Sequence, residues 1–170
     1  MALVDISPAT YVAARYEETS TTALLTPGSV SIDNMGGHWE YVKASAAVAQ
    51  YALVTISNAL IPLAAEATTT SIAAAPQKLG IAQVAFASAD FGWVWRGPGG
   101  GVGRGIKCKL AASCALDVLL CTTATAGVVD DAIVDESVVA GLKSTATITT
   151  AAAAEVIATT FLTCNLGEVD

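Results

Sequence analysis

The chain has 170 residues, a net charge of −7, 54% apolar positions and only 14% charged ones. The acidic balance excludes the clustered Lys/Arg footprint on which nucleic-acid binding depends. The longest apolar runs, such as AAVAQYALVTI (46–56) and LAASCALDVLLC (110–121), fall short of the roughly 20 residues a membrane-spanning helix needs.

The start, MALVDISP, carries an aspartate where a signal peptide needs positive charge, and no apolar core segment follows it. We therefore expect a chain made and used without export, with no membrane partner. Much of the apolar fraction is alanine, which buries little area per residue. Burial between subunits would compensate.

Residues 1–35 show no sustained helical stripe and are punctuated by Ser, Thr and Pro, so they read as an extended arm ahead of a β-rich domain over 36–170. With Leu3, Val4, Ile6, Tyr11 and Val12 the arm is too apolar to stay solvated and too short to build a core. It is expected to lie on a neighbouring subunit or another partner.

HWEYVKAS (38–45) and YALVTIS (51–57) then read as strands. Residues 61–77 read as an Ala/Thr loop with two prolines. Strand signals resume at LGIAQVAF (79–86), FGWVW (91–95), GIKCKLA (105–111), LDVLLCTT (116–123), ESVVAGLKS (136–144) and VIATTFLTCN (156–165). The alanines at 151–154 favour a helical turn before that last strand. Short strands separated by turn signals predict an all-β, mainly antiparallel sandwich or barrel with little helix. A faint echo links ASAAVAQYALVTIS (44–57) to LAASCALDVLLCTT (110–123), both placing small residues before an aliphatic strand. A shared supersecondary unit would explain it.

In the segment FGWVWRGPGGGVGRGIKCK (91–109) a six-glycine loop follows FGWVW, and four of the chain's eight basic residues fall within the segment. A P-loop needs G-x-x-x-x-G-K-[ST], but here Ile106 separates glycine from lysine and Cys108 follows. The dinucleotide fingerprint fails too, since its last glycine falls at Arg104, so no nucleotide is expected. Cys108, Cys114, Cys121 and Cys164 form no C-x-x-C pair and lie far from the single histidine, His38, so neither zinc nor a nucleophilic constellation is expected. Basic neighbours of Cys108 would lower its thiol pKa.

Trp and Arg are enriched at interface hot spots. That makes Trp95, Arg96, Arg104 and Lys107 a candidate contact surface, with Asp130 and Asp131 as a complementary acidic turn on the next subunit or on a shell. If the arginines are exposed, removing them leaves the fold little changed.

The order of features, a WEYVKAS strand after Gly36 and Gly37, FGWVW before a glycine turn, and AGVVDDA (126–132) before AGL (140–142), resembles the head decoration, or capsid cement, proteins of tailed bacteriophages over about residues 36–165. The resemblance implies a small β-rich protein on the outer face of the virion capsid. Its partners would be the major capsid protein and itself, as a homotrimer, and it would have no catalytic residues or cofactor. Another virion component, such as a head fibre base or tail part, is the runner-up, and an enzyme comes last.

Overall fold

The computed structural model describes residues 16–73, 78–131 and 138–165. In chain order these form β1 (Thr19–Ser20), β2 (Val30–Ile32), β3 (His38–Ala44), β4 (Leu53–Ile56), β5 (Leu63–Glu66), the helical turn α1 (Thr69–Ala73), β6 (Lys78–Ala82), β7 (Phe91–Trp95) and β8 (Gly99–Gly100). There follow β9 (Lys107–Leu110), β10 (Leu119–Thr122), β11 (Val128–Asp130), β12 (Val138–Ser144), β13 (Ala152–Ala158) and β14 (Cys164–Asn165). The protein is all-β.

Two sheets each close on themselves. In the first, β3 pairs with β7, β7 with β6, β6 with β4 and β4 with β5, all antiparallel, and the parallel pair β5–β3 closes the ring. In the second, the cycle is β9, β13, β12, β10, β11 and back to β9, again with one parallel pair, β11–β9. Strand for strand, β3 to β7 and β9 to β13 have the same connectivity. The echo between 44–57 and 110–123 falls on the equivalent strands β4 and β10, and each is entered through a residue at positive φ, Tyr51 and Asp117. The shared unit is a small closed barrel.

Barrel closure also accounts for the alanine content. The lumen of the first barrel is lined by Val42, Ala44, Ala52, Val54, Ile56, Ala64, Ala82 and Val94 with Phe86, a small-residue filling suited to a narrow ring of strands. The large side chains go elsewhere. Trp39, Tyr41, Leu53, Leu79, Ile81, Trp93 and Trp95 form one cluster with Ile106, Cys108, Leu110, Leu120, Val129, Val139, Leu142, Val156 and Leu162 of the second barrel. Strands of the first barrel are therefore buried on both faces, β4 along its full length, whereas β9 alternates between half-buried and buried positions. Backbone hydrogen bonds stitch the barrels together, among them Leu53 N to Gly127 O (2.9 Å), Lys109 N to Tyr51 O (2.8 Å) and Leu162 N to Arg96 O (2.8 Å). The added apolar burial is thus found within one chain, between its halves.

Three expectations change. Residues 19–32 are part of the fold, since β1 pairs with β7 and β2 with β3, so the domain begins well before residue 36. The arm positions Leu3, Val4, Ile6, Tyr11 and Val12 lie outside the described residues. The Ala/Thr loop holds β5 and α1. Where a helical turn was expected, Ala152–Ala158 is a strand, because Ala152, Ala153 and Ala154 pair with Leu110, Lys109 and Cys108. Tertiary pairing overrides the helix propensity of alanine.

Candidate interaction surface

In the glycine loop, each end of the segment does something different. Trp93 and Trp95 do share one face of β7, but that face points into the cluster between the barrels, and Trp95 is fully buried. Arg96, the next residue, is buried beside Glu40 of β3, and its guanidinium Nη1 is ion-paired with Glu40 Oε2. Lys78 Nζ reaches the other carboxylate oxygen, Glu40 Oε1, at 3.3 Å. Glu40 and Lys78 share the lumen-facing parity of Val42 and Ala82 on their strands, so the three charges plug one end of the first barrel. Arg96 is therefore not an exposed partner for Asp130 and Asp131, and Trp95 is not a surface anchor. The sequence reading had both on the outside because their partner, Glu40, is far away in the chain. A lone carboxylate inside the apolar run WEYV was the available signal that a buried cation must meet it.

Beyond Arg96 the glycines hold the chain against β13. Gly100, at φ +79°, pairs opposite Ile157, and a Cβ there would fall 2.3 Å from Val156 O, so no side chain fits. Gly103 N and Gly105 N then donate to the two carboxylate oxygens of Glu155, at 2.8 and 3.0 Å. These bonds to Gly103 and Gly105 hold Glu155 below the ordinary glutamate pKa. The amides that would cradle a phosphate are occupied by the chain's own carboxylate.

Arg104 is exposed and makes no ion pair with the other described residues. Lys107 is half-buried, its backbone carbonyl and amide both bonded to the Gln83 side chain and its ammonium 5.8 Å from the Tyr51 ring centre. Of the expected basic surface, then, Arg104 remains outside, Lys107 is partly engaged and Arg96 is inside.

The acidic turn is likewise bonded within its own chain. Asp130 Oδ1 accepts from Cys114 Sγ at 3.3 Å and from Asp131 N at 2.8 Å, and Asp131 Oδ2 accepts from Ala115 N at 2.8 Å. The fold brings this thiol and the two carboxylates within 4.8 Å of one another, which spacing in the sequence did not show. The thiol proton sits between Cys114 and Asp130, so the group forms a hydrogen-bonded network. Burial, reinforced by the Asp130 bond, pushes the Cys114 thiol up to about 11. Burial likewise raises Cys108 to about 12, the reverse of the lowering expected from its basic neighbours. Cys108, Cys114 and Cys121 are buried thiols, not nucleophiles poised for attack.

Exposed apolar side chains mark a different surface. Leu24 and Leu25 precede the turn at Gly28, and Leu60, Ile61 and Leu63 flank Pro62. The two loops are neighbours: Gly28 packs its bare face on the Pro62 ring, Gly28 N bonds Tyr41 O (2.7 Å), and Lys43 N bonds Pro62 O (3.0 Å). Leu60 is 97% exposed. On another side lies an open groove of about 750 Å³ walled by Tyr16, Ile32, Trp39, Tyr51, Gln83 and Arg104. Most of its polar groups are already engaged. Asp33 at its rim accepts from Trp39 Nε1, Met35 N and Gly37 N, and Gln83 is held by Lys107. No described helix is long and apolar enough to cross a membrane.

No protein-family model matches the chain, and no curated protein is significantly similar to it.

Proposed function

We propose that this protein is a structural component of a bacteriophage virion, a decoration protein that binds the outer face of the capsid and clamps neighbouring capsid subunits. The observation that carries the reading is the pair of adjacent loops at 24–28 and 60–63. They present Leu24, Leu25, Leu60, Ile61 and Leu63 to solvent from a backbone held by hydrogen bonds to β3. Exposed apolar side chains gathered on rigid loops suit contact with another protein. The acidic charge suits a position away from the genome. The partners are the major capsid protein and the chain itself, as a homotrimer, and the binding involves no chemistry and no cofactor. Arg104, exposed beside the groove, is a peripheral contact.

The test is occupancy on purified heads. Leu60→Asp with Ile61→Asp is expected to lower occupancy at least tenfold, with an unchanged circular dichroism spectrum. Arg104→Ala is expected to change it less, and only at low salt. Full occupancy by the Leu60/Ile61 variant would remove these loops from the mechanism. Failure of the unmodified protein to bind any head would sink the reading.

A further inference from the structure

β2 is the last strand of its sheet, paired on one side with β3 through Val30–Glu40, Ser31–Trp39 and Ile32–His38. The backbone groups of Ser29 and Asp33 bond inward to Tyr41 and Gly37, which leaves those of Val30 and Ile32 facing outward, with no backbone partner among the described residues. Their side chains are exposed as well, 64% for Val30 and 60% for Ile32. An apolar edge strand with free amides and carbonyls is a template for another strand.

The chain enters the described structure next to that edge. Tyr16 stacks on Trp39 at 4.4 Å and its hydroxyl meets Ser31 Oγ at 2.7 Å. Three residues later Thr19 lies opposite Gly92, which itself pairs with Val42. From Tyr16 to Thr19 the chain therefore runs parallel to β3, from the level of Trp39 to that of Val42. Traced backward from Thr19 to Tyr16, the chain heads toward the Asp33–Gly37 turn. To reach its own β2 edge it would have to reverse at once. The residues available, Ala13, Ala14 and Arg15, include none of the Gly, Asn, Asp or Pro that tight turns use. Ahead of them stand Leu3, Val4, Ile6, Tyr11 and Val12, on a segment that extends up to about 50 Å.

We propose that residues 1–15 of one copy add a strand to the open edge of β2 on a second copy, so that Val30 and Ile32 are the receiving surface for the neighbour's arm. This deepens the self-association in the proposed function and rests on that reading. It is tested without a capsid, so the two fail separately.

Two full-length variants are compared with the unmodified chain by light scattering. One blocks the edge, Val30→Lys with Ile32→Lys; the other disables the arm, Leu3→Asp, Val4→Asp, Ile6→Asp, Tyr11→Asp and Val12→Asp. The unmodified protein is expected to be oligomeric, and each variant is expected to be at least tenfold weaker in association with an unchanged circular dichroism spectrum. Mixing the two variants pairs an intact arm with an intact edge, and is expected to restore a one-to-one complex, which misfolded chains would not form. A monomeric unmodified protein, variants that associate normally, or a mixture that stays monomeric would each overturn the proposal. So would a monomer whose Val30 and Ile32 amides are protected by its own arm.

Discussion

Arg96 illustrates how much one side chain's surroundings decide. Its guanidinium and the Glu40 carboxylate are both buried, while the Lys78 ammonium that completes the group is partly exposed. Removing one member of a buried pair leaves the other without compensation, a loss of about 3–5 kcal/mol. Arg96→Ala is therefore expected to lower the urea midpoint strongly, whereas Lys78→Ala should cost only about 0–1 kcal/mol. Equal midpoints for the two variants would show that the plug contributes nothing particular. Glu155 gives a different kind of prediction. Its pKa is depressed by the Gly103 and Gly105 amides, so its folded form favours the carboxylate. The contribution is complete above the unfolded glutamate pKa and is lost as pH falls through the lower folded value. The protection factors of the Gly103 and Gly105 amides, taken against the intrinsic rate at each pH, should fall on acidification, and Glu155→Gln should show the lower protection already at neutral pH. Exchange that ignores both changes would free the loop from this anchor.

Among the elements, legibility followed chemistry. β3, β4 and β7 were plain in HWEYVKA, LVTI and FGWVW because β-branched and aromatic residues at strand length have few other uses. β5 and β13 were hidden for a common reason. LAAE and AAAEVIA are alanine-rich, and alanine carries neither a β signal nor an alternation that tells the two faces apart. β1 and β2 are too short to register without their partners β7 and β3. The candidate surface was harder to read. The glycine loop drew attention by its composition, yet what fixes it is a carboxylate on β13, and no spacing rule connects Gly103 to Glu155. The apolar loops at 24–28 and 60–63 become a surface only when the turn at Gly28 meets Pro62.

At the scale of the molecule, two barrels of one connectivity are joined along a seam of aromatic and aliphatic side chains and by main-chain hydrogen bonds in both directions. The polar groups that meet across the seam, such as the Gln83 side chain and the Lys107 backbone, are bonded to each other. Thermal unfolding should consequently be one cooperative transition in calorimetry, with no separate melting of a barrel. Two resolved peaks would mean that the seam is weaker than its lining suggests. The glycine loop between the halves has a further consequence. Val102 stands exposed at its tip, just after the chain has passed from β7 of one barrel to β8 on the sheet of the other. Peptide-bond continuity at that point adds little to what the seam already supplies. A protease that nicks the loop at Val102 should yield two fragments on a denaturing gel, yet one particle of undiminished mass in native mass spectrometry.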